Sequence, residues 1–214
     1  VHMYVCGNIP VSEIARSTDL AGAADGAAWF QAARPRVDAA APGLYAIDFA
    51  GVRIATVSWL REGVLALCRY AAAMRPDLRL VATALAPLVR EELEVALDAT
   101  GAILIAAEIE PNSRPTQPVV LGRLDAALRD TLRAVEGKPE FDATFVSRAI
   151  PGVGASAANN RLAALEAKGI LLSERRGRSR LYRPLLENLR YGYRNDREGD
   201  RQLRAQATEM PGPS

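Results

Sequence analysis

Between Ser156 and Arg183 the chain gathers side chains suited to holding a polyanion and to reading the edges of nucleic-acid bases. Asn159, Asn160 and Arg161 follow one another. A carboxamide presents the donor–acceptor pair that matches an adenine edge, and a guanidinium forks onto the two acceptors of guanine. Ser156 adds a hydroxyl close by, and Arg175, Arg176, Arg178 and Arg180 crowd around Gly177. Guanidinium groups at that density suit phosphate oxygens, either along one strand or in a minor groove. Residues 161–183 carry seven basic side chains against two acidic ones. An arginine-rich hairpin can also serve as a solvated edge that blocks aggregation, or as a protein-docking surface. Four arginines in the six positions 175–180, with no acid among them, favour the polyanion.

Those groups need elements to aim them. Leu121, Leu124, Leu128, Leu132 and Val135 recur at helical spacing and predict a helix over residues 121–135 that stops at Gly137. Asp142 predicts the cap of a short helix, Ala143–Ala149. Pro151-Gly152-Val153-Gly154 predicts a tight turn, after which Ser156 caps a helix over residues 157–168 closed by Gly169. On that helix Leu162 and Leu165 face inward, which turns Ala158, Asn159 and Arg161 outward at its N-terminal end. Residues 170–174 and 179–183 predict two strands, joined where Gly177 supplies the positive φ of the turn. A last helix is expected over residues 184–193. Its Leu186, Leu189, Tyr191 and Tyr193 either pair two subunits into a homodimer or pack against the first helix.

The first half alternates in another way. Residues 44–49 predict a strand after the turn Pro42-Gly43. Residues 59–74 predict a helix with Leu60, Val64, Leu67, Cys68 and Ala71 on one face. A buried strand over 78–82, a helix over 87–99 ended by Gly101 and a third apolar strand over 102–107 follow. Residues 23–33 add a helix and residues 4–6 an edge strand. A β-α-β-α-β order needs crossovers, and so implies a mainly parallel sheet covered by helices. Pro111, Pro115 and Pro118 fall within eight residues and suggest an exposed linker. The expected organisation is an α/β domain over residues 1–110, a Pro-rich linker over 111–120, an α+β domain over 121–193 and a flexible tail over 194–214.

Charge follows this division. Residues 1–120 hold 10 Arg and Lys against 13 Asp and Glu, a net of −3, and residues 121–214 hold 17 against 12, a net of +5. A polyanionic partner therefore belongs to the second half. Of 27 basic residues only Lys138 and Lys168 are lysine, a usage that, with the abundant alanine, fits a GC-rich bacterial genome. No run of 18 apolar residues is free of charge, so no membrane span is expected, and the N-terminus shows no signal-peptide pattern. Cys6 and Cys68 have no metal-ligand spacing, and His2 as sole histidine cannot complete a zinc set, so no metal and no cofactor is expected. Cys68 sits in an apolar helical pattern as an inert thiol, which fits a reducing cytoplasm. There is no glycine-rich phosphate loop after a strand, and Gly22 and Gly26 lack dinucleotide-binding spacing and look like a flexible small-residue segment. No catalytic set emerges, so a binding protein is expected rather than an enzyme. Asp48, inside a strand, is either a functional carboxylate at a strand end or, the preferred reading, a turn-facing or hydrogen-bonded structural acid.

The run Asn160-Arg161-Leu162-Ala163-Ala164-Leu165-Glu166-Ala167-Lys168-Gly169-Ile170-Leu171, with the Arg-Gly-Arg turn and Leu181-Tyr182-Arg183-Pro184, resembles the recognition helix and wing of winged helix-turn-helix transcription regulators over about 60 residues. The resemblance implies double-stranded DNA as partner, bases read from the N-terminal end of the helix by Ser156, Asn159, Asn160 and Arg161, and phosphates held by the wing arginines. In the first half, Tyr45-Ala46-Ile47-Asp48-Phe49-Ala50-Gly51-Val52 and Ile54-Ala55-Thr56-Val57-Ser58-Trp59-Leu60 are similar to STAS-like domains of the anti-anti-sigma type. This implies a regulatory module with a protein partner, and Ser58 either as a phosphorylated serine at a helix start or as a plain N-cap. Trp59 stands where that family has a small residue and Val57 where it has an acid. Together the halves suggest a cytoplasmic bacterial regulator or, alternatively, a protein-interaction switch that uses the winged helix for docking.

Overall fold

Short apolar runs separated by helix-length stretches can pair only in parallel, and the computed structural model, which describes residues 3–177 and 179–192, pairs them so. Its first half runs β1 (Val5–Pro10), α1 (Val11–Ala15), β2 (Asp19–Leu20), α2 (Ala23–Asp38), β3 (Gly43–Asp48), β4 (Ile54–Ala55), α3 (Val57–Glu62), α4 (Val64–Met74), β5 (Leu78–Thr83), α5 (Pro87–Thr100) and β6 (Leu104–Ile109). The rest is β7 (Pro115–Leu121), α6 (Ala126–Ala134), α7 (Ala143–Ala149), α8 (Ala155–Ala167), β8 (Leu171–Arg176), β9 (Ser179–Pro184) and β10 (Arg190–Tyr191).

Six strands form one sheet in the order β1-β3-β5-β6-β7-β10, parallel throughout except between β6 and β7. The first four are added one after another in the same direction, so right-handed crossovers carry every connecting helix to the same face. On that face Ile47, Ala82, Leu104 and Leu121 join Trp29, Trp59, Leu67 and Leu93 in one core. The two indoles lie 5.4 Å apart, tilted by 54°, and Trp29 Nε1 donates to Val11 O at 3.2 Å. Side chains alternate along a strand, so Leu44, Val81, Ile105 and Val120 point to the opposite face, which no crossover helix covers. There they join Leu128, Leu162, Leu165, Tyr182 and Leu189 in a second core. The second half of the chain thus roofs the face that the first half leaves open.

This arrangement corrects the expected linker. Residues 111–120 hold a tight turn, in which Ser113 N donates to Glu110 O at 2.8 Å, and most of β7. The prolines are accommodated by position. Pro115 is the first residue of its strand, and Pro118 lies in a bulge where Gln117 and Pro118 together face Ala107, between the pairs Glu108↔Thr116 and Ala106↔Val119. A bulge leaves one residue out of the ladder, which is where a residue without an N–H does no harm. The helix expected over 184–193 is also absent from the described part of that stretch. The chain turns back instead, and β10 pairs in parallel with β7 at the sheet edge. Tyr193 and residues 194–214 lie outside the described residues.

Smaller differences have local causes. The helix expected over 59–74 breaks at Gly63 into α3 and α4. The cap of α3 is Thr56, whose Oγ1 accepts from Trp59 N at 3.4 Å. Ser58 lies inside this helix, half-buried, with its Oγ 3.2 Å from Thr56 Oγ1. Gly26 belongs to no flexible segment. It is buried in the first turn of α2, and a Cβ there would stand 2.5 Å from the Trp59 carbonyl oxygen, so the small residue lets α2 touch the α3 backbone. Asp48, at the end of β3, takes hydrogen bonds from Asn8 Nδ2 at 2.8 Å and Ala50 N at 2.9 Å.

The cysteines differ in reactivity for a stated reason. Both are free; Cys6 is exposed, whereas burial pushes the Cys68 thiol up to about 12. The thiolate is the nucleophile. At pH 8 a maleimide is therefore expected to label Cys6 in the native protein and spare Cys68, with both labelled in denaturant. Equal native labelling, read by mass spectrometry, would contradict the packing of α4.

Candidate nucleic-acid interface

The second half is organised around α8. Asp125 Oδ1 caps α6 by accepting from Leu128 N at 2.8 Å, and Asp142 Oδ1 caps α7 by accepting from Phe145 N at 2.8 Å. Both acids do what their type does at an N-cap, which fixes where each helix begins. Phe141, between the two helices, makes an antiparallel bridge to Tyr182 and so ties the hairpin β8–β9 to the helices. A turn after α7, with Ser147 Oγ donating to Val153 O at 2.7 Å, leads into α8.

Helix α8 begins two residues earlier than expected, at Ala155. Its N-cap is Gly154, and Ser156 lies within the first turn without a capping role. Ala158, Leu162 and Leu165 form the buried stripe, at helical spacing. Ala158, expected outside, is fully buried because it lies four residues before Leu162. Ser156, Asn159 and Asn160 are exposed and Arg161 is half-buried. Ser156 and Asn160, four apart, occupy the outermost face. Asn159 is turned toward the hairpin, where its Oδ1 accepts from Tyr182 Oη at 3.4 Å.

The hairpin separates its arginines by strand alternation. Arg175 stands opposite Arg180, and Ser173 opposite Tyr182, so these four share the face that turns toward α8. Arg176, opposite Ser179, lies on the other face beside Glu174. Like charges directly across a ladder repel. Here Arg180 is drawn aside: its Nη2 donates to Glu166 Oε2 at 2.6 Å, its Nε donates to Ser173 Oγ at 2.9 Å, and its guanidinium lies 5.4 Å from the Tyr182 ring centroid. Ser173 Oγ in turn donates to Glu166 Oε1 at 2.6 Å. Burial, above all, raises the Tyr182 phenol above its ordinary value, so it stays a neutral donor. This network locks the hairpin to the last turns of α8.

Arg176 is neutralised elsewhere, by Glu140 at 3.0 Å and Glu174 at 3.5 Å. Hydrogen bonding to Glu174, first, and the field of Glu140 raise its affinity for the proton further. Arg175 is exposed and makes no ion pair among the described residues. Arg178 lies outside the described residues. The structure thus links Asn159 to the hairpin face that carries Arg175 and Arg180, leaves Ser156 and Asn160 exposed on the outer face of α8 and Arg161 half-buried, and puts Arg176 on the opposite face of the hairpin.

Three participants were not legible as such. Glu166 follows Asn159 by seven residues, hence on the same helical face, so spacing could have paired it with the hairpin. Ser173 and Glu140 carry no local signal, because their roles depend on strand register and on the Phe141 bridge. Among the described residues no group of three or more His, Cys, Asp or Glu could hold a metal ion, and no helix is long and apolar enough to cross a membrane. The chain matches no protein-family model, and neither a curated protein sequence nor a solved structure matches it significantly.

Proposed function

We propose that this protein is a DNA-binding regulator of the bacterial cytoplasm, not an enzyme. In it a STAS-like α/β module, for a partner or a signal, is joined to a winged helix-turn-helix that contacts double-stranded DNA. One observation carries the reading: the exposed N-terminal face of α8, with Ser156, Asn159 and Asn160, adjoins a hairpin face that presents Arg175 and Arg180. The succession α6, bridge at Phe141, α7, α8, β8 and β9 supports it as well. In such modules the helix end reads base edges in the major groove and the wing holds backbone phosphate.

Fluorescence anisotropy with labelled duplexes, repeated at two salt concentrations, tests this. Binding that weakens steeply with salt, by a log–log slope of about −0.9 for each phosphate neutralised, is expected. Absence of salt-sensitive binding overturns the reading. It would favour a second one, a protein-interaction switch that docks through the same surface. What speaks for that second reading is that Arg176 and Arg180 are already paired with acids, so the hairpin is less cationic than its composition.

The pairing of Arg180 gives a sharper expectation. Glu166→Gln removes the carboxylate that holds Arg180 and leaves a neutral hydrogen-bonding side chain in its place. Duplex affinity should rise, by roughly threefold to tenfold, because a guanidinium is released toward phosphate and a repelling charge is lost. Unchanged or weaker binding in the same anisotropy assay would show that Arg180 only braces the hairpin.

A further inference from the structure

At the carboxyl ends of the parallel strands β5 and β6 the sheet opens onto a cavity of about 580 Å³, within the range of small-molecule sites. Its walls come from both halves of the chain. Ala82, Ala106 and Val119 give an apolar floor, while Arg90, Gln117 and Arg190 stand among its polar groups. Three of the five non-glycine residues with positive φ among the described residues line this one cavity: Ala84 (φ 55), Gln117 (φ 48) and Asn188 (φ 56). They belong to three separate segments. A left-handed alanine is disfavoured because its Cβ crowds the following carbonyl oxygen, and such strain collects where function imposes the shape.

The charges point to the ligand. Arg90 Nε donates to Glu94 Oε1 at 3.0 Å, and Glu94 is itself only 6% exposed, so a buried acid orients this guanidinium from behind. Arg190, ion-paired through Nε with Glu136 at 3.2 Å, has a side chain that is 71% exposed. The acid in the lining, Glu108, already accepts from Gln117 Nε2 at 2.9 Å. Two guanidinium groups, each held through Nε by an acid outside the lining, thus stand with their remaining N–H donors beside one lining carboxylate that is already hydrogen-bonded, above an apolar floor. That is the chemistry of a planar or tetrahedral oxyanion carried on a small organic body.

The place of Arg190 adds a consequence. It begins β10, which pairs with β7 over two ladder residues, is followed by Gly192 N donating to Val120 O at 3.2 Å, and is tied to α5 by Arg90 Nη2 donating to Gly192 O at 3.4 Å. Tyr191 in the same strand accepts from Leu124 N at 3.2 Å and donates to Gly122 O at 3.3 Å, at the start of the second half. We propose that this cavity binds a small organic anion, a carboxylate or a phosphate ester, between Arg90 and Arg190, and that its binding clamps β10 onto the sheet edge. Any effect on DNA rests on the function proposed above; the binding itself does not.

The full-length protein, labelled with ¹⁵N, tests the site by titration with phenyl phosphate, with benzoate and with neutral benzyl alcohol. Saturable shifts of the Arg90 and Arg190 Nε–H signals and of the Ala84 and Val119 amides are expected with at least one anion, and none with the alcohol. The two anions distinguish a phosphoryl from a carboxylate ligand. Arg190→Gln should weaken the responding anion on the order of tenfold, the loss of one charge-assisted pair. Hydrogen exchange at Tyr191 and Gly192 should slow in the bound state. Shifts confined to Arg175 and Arg180, no shift with either anion, equal response to the alcohol, or undiminished binding by Arg190→Gln would each overturn the site. Unchanged exchange at β10 would overturn the clamp. Because none of these readouts uses DNA, failure of the DNA reading would leave them standing.

Discussion

Arg175→Ala is expected to weaken binding to every duplex by on the order of tenfold and to make the salt slope shallower by about one, whatever the sequence offered. Arg176→Ala, one residue on, should change affinity far less. Composition cannot separate these neighbours, since both are hairpin arginines just before Gly177. Strand alternation separates them. Arg175 shares a ladder rung with Arg180 on the face toward α8, whereas Arg176 faces away and is satisfied by Glu140 and Glu174. A cation already paired with two carboxylates has little to gain from a phosphate, and exposed ion pairs contribute little to stability, so losing Arg176 should cost the fold little. Equal losses for the two variants would mean that the hairpin acts only as a diffuse positive charge.

The second large effect concerns the joint between the halves. Gly122 has φ 92, and a Cβ there would lie 2.4 Å from the Ala102 carbonyl oxygen and 3.1 Å from Ile103 Cδ1. Its own carbonyl receives the Tyr191 hydroxyl. Gly122→Ala combines a backbone conformation that L-residues avoid with an overlap against a main-chain atom that cannot swing aside. Together these should destabilise the protein by roughly 3 kcal/mol. In a chain of this size that lowers Tm by roughly 6–12 °C, measurable by calorimetry. A Tm within a degree or two of the parent would show that β6 and β7 are not packed as described. At Gly137 (φ 73) only the backbone part of that penalty is expected, because the same carbon would meet nothing within 4 Å.

Most elements of both halves were legible because their signals are local. Asp142 before Ala143 marks a cap, Gly101 and Gly169 mark helix ends, and the strands at Leu44, Leu78 and Leu104 are bounded by turns and helices. The failures have a common cause in contacts between distant segments. Leu121 and Leu124 extend the helical period of α6 backwards, yet Leu121 completes a strand paired with Leu104, and Asp125 sets the true start. Prolines 111, 115 and 118 signal a break if each is taken as needing a ladder hydrogen bond, but a strand start and a bulge ask for none. Arg190-Tyr191 is too short to show any period, and its partner lies some 70 residues earlier at Val119-Val120. The candidate interface divides similarly. Asn159, Asn160 and the arginine cluster could be picked out by type, whereas the tether of Arg180 to Glu166 and the removal of Arg176 follow from register. That the halves share a core, with Leu44 and Val81 packing among Leu162 and Tyr182, could not be read from a linker-like composition at all.

Selection of bound duplexes from a random pool, run in parallel with the parent protein and with Asn160→Ala, tests the central claim most directly. Asn160 is exposed on the outermost face of α8 and takes part in none of the core contacts, so the variant should fold like the parent. The parent is expected to enrich a defined motif, and the variant to lose preference at one position while still binding DNA. No enrichment over the starting pool, or an identical motif from both proteins, would contradict the assignment of α8 as the element that reads sequence.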